Sequence, residues 1–308
     1  MDSLLGFTTG RRLVVNADDL GLTAGVNDGI FDAHEHGILT SASLLANAPA
    51  TADAVRRARS HPSLGLGAHL TLVDASPTLP PTRVPTLVQD DGRFRRSWKP
   101  FIVACLQGRV SLVEVEQELT AQVERLLGAG VKLTHLDAHK HVHAYPPIFA
   151  VVASLAVRFD IPVVRVPYER SSRPSVLRSD GRDRWTVRRQ AWLNAVTWPW
   201  ARQNARTAAS LGLSTPQFIG RIHTGVIDKA ALHSMLRAIG PGVTELMVHP
   251  GYVDDALMRT STRLLESRQQ ELGLLCSMAT RALVAGERIE LVRHDLTRIV
   301  RRSARHVS

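Results

Sequence analysis

The chain has little cysteine and no long apolar run. Its 308 residues include two cysteines, Cys105 and Cys276, which are far apart and form neither a CxxC motif nor a disulfide framework. This usage is typical of a reducing compartment, where such residues pack rather than crosslink. The first residues lack the pattern of a signal peptide, and the longest apolar stretch, Ile148–Val157, is too short to span a bilayer. We therefore expect a cytoplasmic protein.

Lysine is also scarce, so the formal net charge of +10 comes almost entirely from arginine. Arginines interleave with Trp185, Trp192, Trp198 and Trp200 in segment 178–206. Two interpretations of this segment stay open: a peripheral membrane contact, or packing against the barrel or a second subunit of a homodimer. We find no helix-turn-helix, zinc-finger or RNP-like pattern, so we expect no nucleic-acid partner.

Short runs rich in Val, Ile and Leu alternate with longer segments of helical periodicity. The predicted strands are Arg12–Ala17, Thr40–Ala46, Leu64–His69, Leu133–Asp137, Ile161–Val166, Gln217–Ile222, Thr244–Val248 and Arg288–Val292. The predicted helices are Val26–His36, Ala52–His61, Ser111–Leu127, Pro147–Phe159, Lys229–Ile239 and Ser261–Ala285. This alternation indicates an α/β fold with a parallel sheet, and about eight strands favour a barrel over an open sheet.

A single domain accounts for the chain. We expect the barrel to cover residues 11–295, with irregular insertions at about 74–110 and 169–215, where turn residues interrupt the periodicity. The last residues, 296–308, form a basic C-terminal tail. We find no internal repeat and no reason for a second domain.

Histidine and aspartate alternate with other residues in the fourth predicted strand. If this stretch is a strand that runs into a loop, the period of two places His135, Asp137 and His139 on one face. His141 and His143 then lie near the exit of the strand. Imidazole and carboxylate suit zinc and neighbouring divalent ions, but a site needs three or four converging ligands. The remaining ligands must therefore come from other strands.

Polar residues follow most of the other predicted strands. The residues at the carboxyl ends of the strands are Asp18, Asp19, Asn47, His69, Asp137, His139, Arg165, His223 and His249. Barrel enzymes place their chemistry at this end. The adjacent carboxylates of Asp18 and Asp19 raise each other's pKa unless a cation intervenes. Alone, the two aspartates would indicate a turn that caps the next helix. Together with His69 and His139, they indicate an Asp-His-His metal shell with open positions for water and substrate.

Six segments resemble motifs of the YdjC family of carbohydrate deacetylases. They are NADDLG (16–21), LTSASLLANAP (39–49), GLGAHLTL (65–72), THLDAHKHVH (134–143), VRVPYE (164–169) and VHPGY (248–252). They occur in the family's order and cover most of residues 11–255. VRVPYE and the loop LPPTRVP are also similar to the branch associated with hopanoid biosynthesis. The resemblance implies a distorted TIM-like (β/α) barrel that removes acetyl groups from N-acetylated sugars with a bound divalent metal.

The resemblance also implies roles for individual residues. Asp19, His69 and His139 match the family's metal ligands. Asp18 matches the catalytic base, which takes a proton from water, and His249 resembles the general acid that protonates the departing amine.

Other side chains at the strand ends receive supporting roles. Arg165 is assigned to the catalytic set, because its guanidinium can orient Asp18 or hold substrate. Asp137 is expected to orient a ligand histidine rather than to bind metal itself. Asn47, His141 and His143 are expected to contact substrate, although structural hydrogen bonding is an equal alternative for the two histidines.

The expected cofactor is one divalent ion. Two imidazoles favour zinc, with manganese, cobalt or nickel as alternatives, whereas the resemblance implies magnesium. The expected substrate is a chito-oligosaccharide or an N-acetylglucosaminyl lipid, such as a hopanoid glycolipid. Two other functions stay open: a phosphoesterase or other metal hydrolase on the same barrel, and a non-catalytic basic binding protein.

Overall fold

The computed structural model describes residues 10–170 and 184–297, which form one α/β domain around a parallel sheet. The strands are β1 (Arg11–Leu20), β2 (Ser41–Leu44), β3 (Gly65–Leu70), β4 (Leu133–Ala138), β5 (Val163–Val164), β6 (Gln217–Ile219), β7 (Gly242–Val248) and β8 (Ile289–Leu291). All eight predicted strands are confirmed, although β2, β5, β6 and β8 are shorter than predicted. Strands β2, β3, β4 and β5 are buried along their whole length, as parallel strands inside an α/β fold require, whereas β6 and β8 are partly exposed.

Helices cover the outside of the sheet. They are α1 (Ala24–His36), α2 (Thr51–Ala58), α3 (Trp98–Leu106), α4 (Leu112–Gly128), α5 (Pro146–Arg158), α6 (Arg184–Val196), α7 (Trp198–Ser210), α8 (Lys229–Ala238), α9 (Asp255–Met258), α10 (Glu266–Cys276) and α11 (Met278–Gly286). In the ranges that the structure describes, no helix has the length and apolar character needed to cross a membrane.

The sheet curls towards a closed barrel. Its order is β5-β4-β3-β2-β1-β7-β6, with β8 paired to the first half of β1. The two edges meet through isolated parallel bridges, Val163 with Ser214 and Glu169 with Phe218. Because the strands are so unequal in length, the barrel is distorted, as predicted. Its carboxyl rim carries the polar residues that lie at or just after the carboxyl ends of β1, β3, β4, β5 and β7.

One predicted helix is divided into two in the structure. The single helix predicted over Ser261–Ala285 is wrong, because the structure has two helices, α10 and α11, separated at Ser277. The Ser277 hydroxyl accepts a hydrogen bond from the Thr280 backbone N–H at 3.2 Å and so caps the start of α11. The proposed tail lies outside the described residues from position 298 onwards, as do positions 171–183 of the second insertion.

Candidate metal centre and active site

A bulge in β1 turns two adjacent carboxylates towards the same site. Neighbouring residues of a regular strand point to opposite faces. Between Ala17 and Leu20, however, the register with β2 shifts by one residue, and Asp19 adopts a positive φ of 69°. Such bulges re-aim side chains. Asp18 and Asp19 are therefore both buried at the carboxyl rim, one beside the other.

Asp19, His69 and His139 bring three donor atoms together. Asp19 Oδ1 lies 3.0 Å from His139 Nδ1 and 3.5 Å from His69 Nε2. The two imidazole nitrogens are 3.4 Å apart. A metal with bonds of about 2.1 Å places its neighbouring ligands about 3.0–3.4 Å apart in octahedral or tetrahedral geometry. The three side chains thus have the spacing and the donor types of a divalent-metal site.

The outer nitrogen of each imidazole faces a second carboxylate. Asp137 Oδ1 is 2.7 Å from His69 Nδ1, and Asp74 Oδ2 is 3.9 Å from His139 Nε2. The contact with Asp137 favours the His69 tautomer that has its proton on Nδ1, which leaves Nε2 free for a metal. Burial alone would lower the pKa of His69, but Asp137 and Asp18 raise it to about 10. A metal ion bound at Nε2 would therefore displace a proton from this ring.

Asp18 is held by a guanidinium rather than by the histidines. Arg165 Nη1 donates to Asp18 Oδ2 at 2.9 Å and Nη2 donates to Oδ1 at 2.7 Å. Burial would raise the pKa of Asp18, but Arg165 and His69 hold it well below its usual range. Asp18 therefore stays ionised. Oδ1 also accepts from Asn16 Nδ2 at 3.0 Å, whereas Oδ2 keeps a free lone pair.

Arg165 connects Asp18 with the rest of the buried network. Its Nη2 lies 2.8 Å from Asp137 Oδ2 and 2.7 Å from Glu245 Oε1. Asp18, His69 and Asp137 also group closely enough to hold an ion. We assign the metal to the other trio, because the Arg165 cation already pairs with both carboxylates of this one. Arg165 thus fixes the orientation of the Asp18 carboxylate in the described residues.

His249 follows β7 and faces the aspartates from the neighbouring strand. The register pairs Ala17 with Val248, so Asp18 and His249 occupy equivalent positions on adjacent strands. The backbone N–H of His249 donates to Glu271 Oε2 at 2.6 Å, and its ring Nδ1 is buried without a hydrogen-bond partner in the described residues. Burial lowers the pKa of His249 to about 4, although Asp18 and Asp19 oppose this shift.

The three predicted substrate contacts lie in different surroundings. Asn47 is half-buried and holds a loop, since its Nδ2 donates to the Ser76 carbonyl at 2.6 Å. His143 is fully buried, and its Nε2 lies 3.0 Å from the Arg165 carbonyl oxygen. His141 is partly exposed, in a turn where Lys140 and His141 both have φ of 53°. Of these three side chains, His141 is the one that makes no hydrogen bond in the described residues.

Sequence reasoning missed two charged residues of α10. Arg268 Nη2 donates to Asp19 Oδ2 at 2.6 Å, and Glu271 is the acceptor for the His249 backbone. Both side chains are buried. A signal was present, because Arg268 and Glu271 share the helix face of Leu272 and Leu275, where an apolar stripe is expected. Charged residues on a buried stripe need partners, and here the partners are the site residues.

Comparisons with known proteins show the family of this chain. A family model described as "YdjC-like protein" matches residues 12–286. The chain belongs to the YdjC-like family. This YdjC-like chain is 34% identical to a protein of Brevibacillus brevis named carbohydrate deacetylase, over 91% of this chain and 97% of the relative. It is 33% identical to a carbohydrate deacetylase of Geobacillus stearothermophilus, over 92% of this chain and 96% of that one.

A solved structure extends the likeness of the YdjC-like chain to the whole fold. A protein from Enterococcus faecalis, described as a cellobiose-phosphate cleavage protein, superposes with a TM-score of 0.74 and 26% identity. The match covers 93% of this chain and 98% of that one. The whole barrel is therefore shared with that protein. The membership of the YdjC family that the six motifs indicate is confirmed.

Proposed function

We propose that this protein is a metal-dependent carbohydrate deacetylase that hydrolyses the acetamide of an N-acetylamino sugar and releases acetate. The observation that carries the proposal is the convergence of Asp19 Oδ1, His69 Nε2 and His139 Nδ1 beside the ionised Asp18. The names of the relatives support the reaction class.

In this proposal, Asp19, His69 and His139 hold one divalent ion. When bound there, the ion polarises an acyl oxygen and lowers the pKa of water. The donor set of two nitrogens and one carboxylate oxygen suits zinc, manganese, cobalt or nickel, and magnesium stays a candidate.

Asp18 acts as the general base and Arg165 as its positioning residue. The ionised carboxylate accepts a proton from the attacking water at Oδ2, where one lone pair is free. Its lowered pKa means that Asp18 holds this proton only weakly and passes it on. His249 occupies the matching position on β7, and its neutral ring takes up the proton that Asp18 removed from water and gives it to the amine nitrogen as the C–N bond breaks. We keep Asn47 and His141 as proposed substrate contacts and assign His143 to positioning Arg165.

The role of His249 predicts a dependence on the leaving group. His249→Ala should lower kcat for an acetamide by about a hundredfold or more, because the amine leaves poorly without a proton. An activated aryl acetate, whose leaving group needs no proton, should lose less than about tenfold. The measurement is kcat/KM on both substrates with the same enzyme preparation. Equal losses on the two substrates would instead indicate oxyanion stabilisation or positioning.

The sugar and its carrier are the finer part of the proposal. We propose N-acetylglucosamine in a chito-oligosaccharide or in a glycolipid, such as a hopanoid glycolipid, as the substrate. An acetate-release screen of the metal-reconstituted protein against N-acetylglucosamine, chitobiose and N-acetylglucosaminyl lipids tests the function. Release of phosphate from sugar phosphates without acetate release would favour a phosphoesterase, and no turnover with any substrate would favour a binding protein.

We also propose that α6 and α7 contact the surface of an anionic membrane. Residues 184–210 contain five arginines and no acidic residue. Trp185 and Trp192 are 79% and 64% exposed on one face of α6. The opposite face packs on the barrel rim, where Asn194 Nδ2 donates to the Glu169 carbonyl at 2.8 Å. Exposed indole and guanidinium groups beside the site suit an interface of lipid headgroups. A cytoplasmic location and a homodimer stay predictions.

Liposome co-sedimentation tests this surface. Trp185→Ser with Trp192→Ser should lower partitioning onto anionic vesicles at least about tenfold, since tenfold corresponds to about 1.4 kcal/mol. Met278 on α11 is 80% exposed, and Met278→Ser provides the matched control with no expected effect. Absence of binding by the unmodified protein, or equal binding by both variants, would exclude this surface as a membrane contact.

A further inference from the structure

Arg268 is a buried cation in direct contact with a proposed metal ligand. Its Nη2 donates to Asp19 Oδ2 at 2.6 Å, and its Nε donates to the Leu264 carbonyl at 3.1 Å. The third nitrogen, Nη1, is buried and has no hydrogen-bond partner in the described residues. Burial of a guanidinium is costly unless its hydrogen bonds are complete. The fold therefore keeps Arg268 in this place at a cost in stability, which points to a role in the site.

The contact with Arg268 divides the two oxygens of Asp19 between two tasks. Oδ2 is taken by the guanidinium, while Oδ1 alone faces His69 and His139. A carboxylate without such a partner can rotate or offer both oxygens to one cation. We infer that Arg268 is a positioning residue that presents Asp19 to the metal through Oδ1 only, which rests on the metal site of the proposed function.

The backbone around Arg268 is anchored on both sides. Its carbonyl accepts the Gly251 N–H at 3.3 Å, and its Cδ would lie 3.3 Å from a Cβ on Gly251. Gly251 belongs to the turn that carries His249, and Glu271, one turn further along α10, holds the His249 N–H. Helix α10 is thus fixed to the end of β7, so the guanidinium reaches Asp19 from a rigid support.

A pure charge effect of Arg268 and a positioning role predict different changes in metal affinity. A cation next to a ligand repels a metal ion, so a pure charge effect predicts tighter metal binding in Arg268→Met and unchanged binding in Arg268→Lys. Positioning predicts weaker binding in both, because neither side chain can bond Leu264 and Asp19 as the guanidinium does. Loss of an outer partner of a metal ligand weakens affinity about 10- to 100-fold.

The experiment measures the dissociation constants of Zn²⁺ and Mn²⁺ for the full-length protein by competition with a fluorescent chelator. We expect Arg268→Met and Arg268→Lys to raise both constants about 10- to 100-fold with a stoichiometry of one. Glu271→Gln, a buried change on the same helix face that keeps an acceptor for the His249 N–H, should stay within about twofold. If Arg268→Met does not fold, Arg268→Lys alone decides, since it retains the buried charge.

Unchanged or tighter binding in the folded Arg268 variants would overturn the inference. Equal weakening in Glu271→Gln would also overturn it, because the effect would then belong to α10 as a whole. The assay needs no substrate, so it is independent of acetate release. If the unmodified protein binds no metal, the proposed function itself is wrong. This outcome is distinguishable, because the unmodified protein and all the variants then lack metal binding.

Discussion

Asp18→Asn is expected to abolish most deacetylation while the metal stays bound. The change removes the proton acceptor and retains the size and shape of the side chain. General-base catalysis typically contributes about a hundred- to ten-thousand-fold to the rate, so kcat should fall by that order. Asp18 is not among the three proposed ligands, and the stoichiometry of bound metal should therefore remain one. Elemental analysis and kcat of the same preparation give the two readings.

The control for Asp18→Asn concerns the ion pair that the change weakens. Arg165 loses one carboxylate partner but keeps Asp137 and Glu245, both within 2.8 Å of Nη2. The variant should therefore fold, and its thermal transition reports any loss of stability. Near wild-type kcat on a substrate that releases acetate would contradict the assignment of the base. His141 would then be the next candidate, because its partly exposed ring lies in the turn after β4.

Much of the fold was predictable because hydrophobic periodicity dominates it. Each predicted strand contains a short apolar run, and such a run favours a strand that is buried beneath helices. Boundaries were less certain where capping competes with periodicity. The break between α10 and α11 at Ser277 depends on one hydroxyl that caps α11. Hydrophobic periodicity alone does not predict the position of a single cap. The bulge in β1 also escaped prediction, since it depends on the pairing with β2 rather than on local sequence.

The site was predictable where a residue stands at a strand end and was missed where a helix supplies it. Asp19 and His69 lie at the carboxyl ends of β1 and β3, and His139 directly follows β4, so the rule for barrel rims brings them together. Arg268 is distant in sequence from all three and lies within a helix. Its contact with Asp19 depends on how α10 packs against the turn at Gly251, which only the tertiary structure defines. Local sequence also could not distinguish the buried His143 from the more accessible His141.

The second large effect is expected from removal of a metal ligand. His69→Ala and His139→Ala should each weaken metal binding by more than the roughly 100-fold typical of an outer partner, because a direct donor is lost from a set of three. Acetate release should fall in parallel with occupancy. Asp19→Ala should act in the same way and should also leave the Arg268 charge without its partner, so this variant should be the least stable of the three.

Metal content and activity are measured on each variant after dialysis against a chelator and stepwise return of the ion. His141→Ala serves as the matched control for binding, because its ring lies in the same turn as His139 but outside the donor trio. We expect it to retain one bound ion even if its turnover changes.

Metal binding also displaces the proton that Asp137 and Asp18 favour on His69, whose pKa is raised to about 10. Affinity should therefore fall as the pH is lowered, and His69→Ala should lose that part of the pH dependence. Unchanged stoichiometry and affinity in all three ligand variants would place the metal elsewhere.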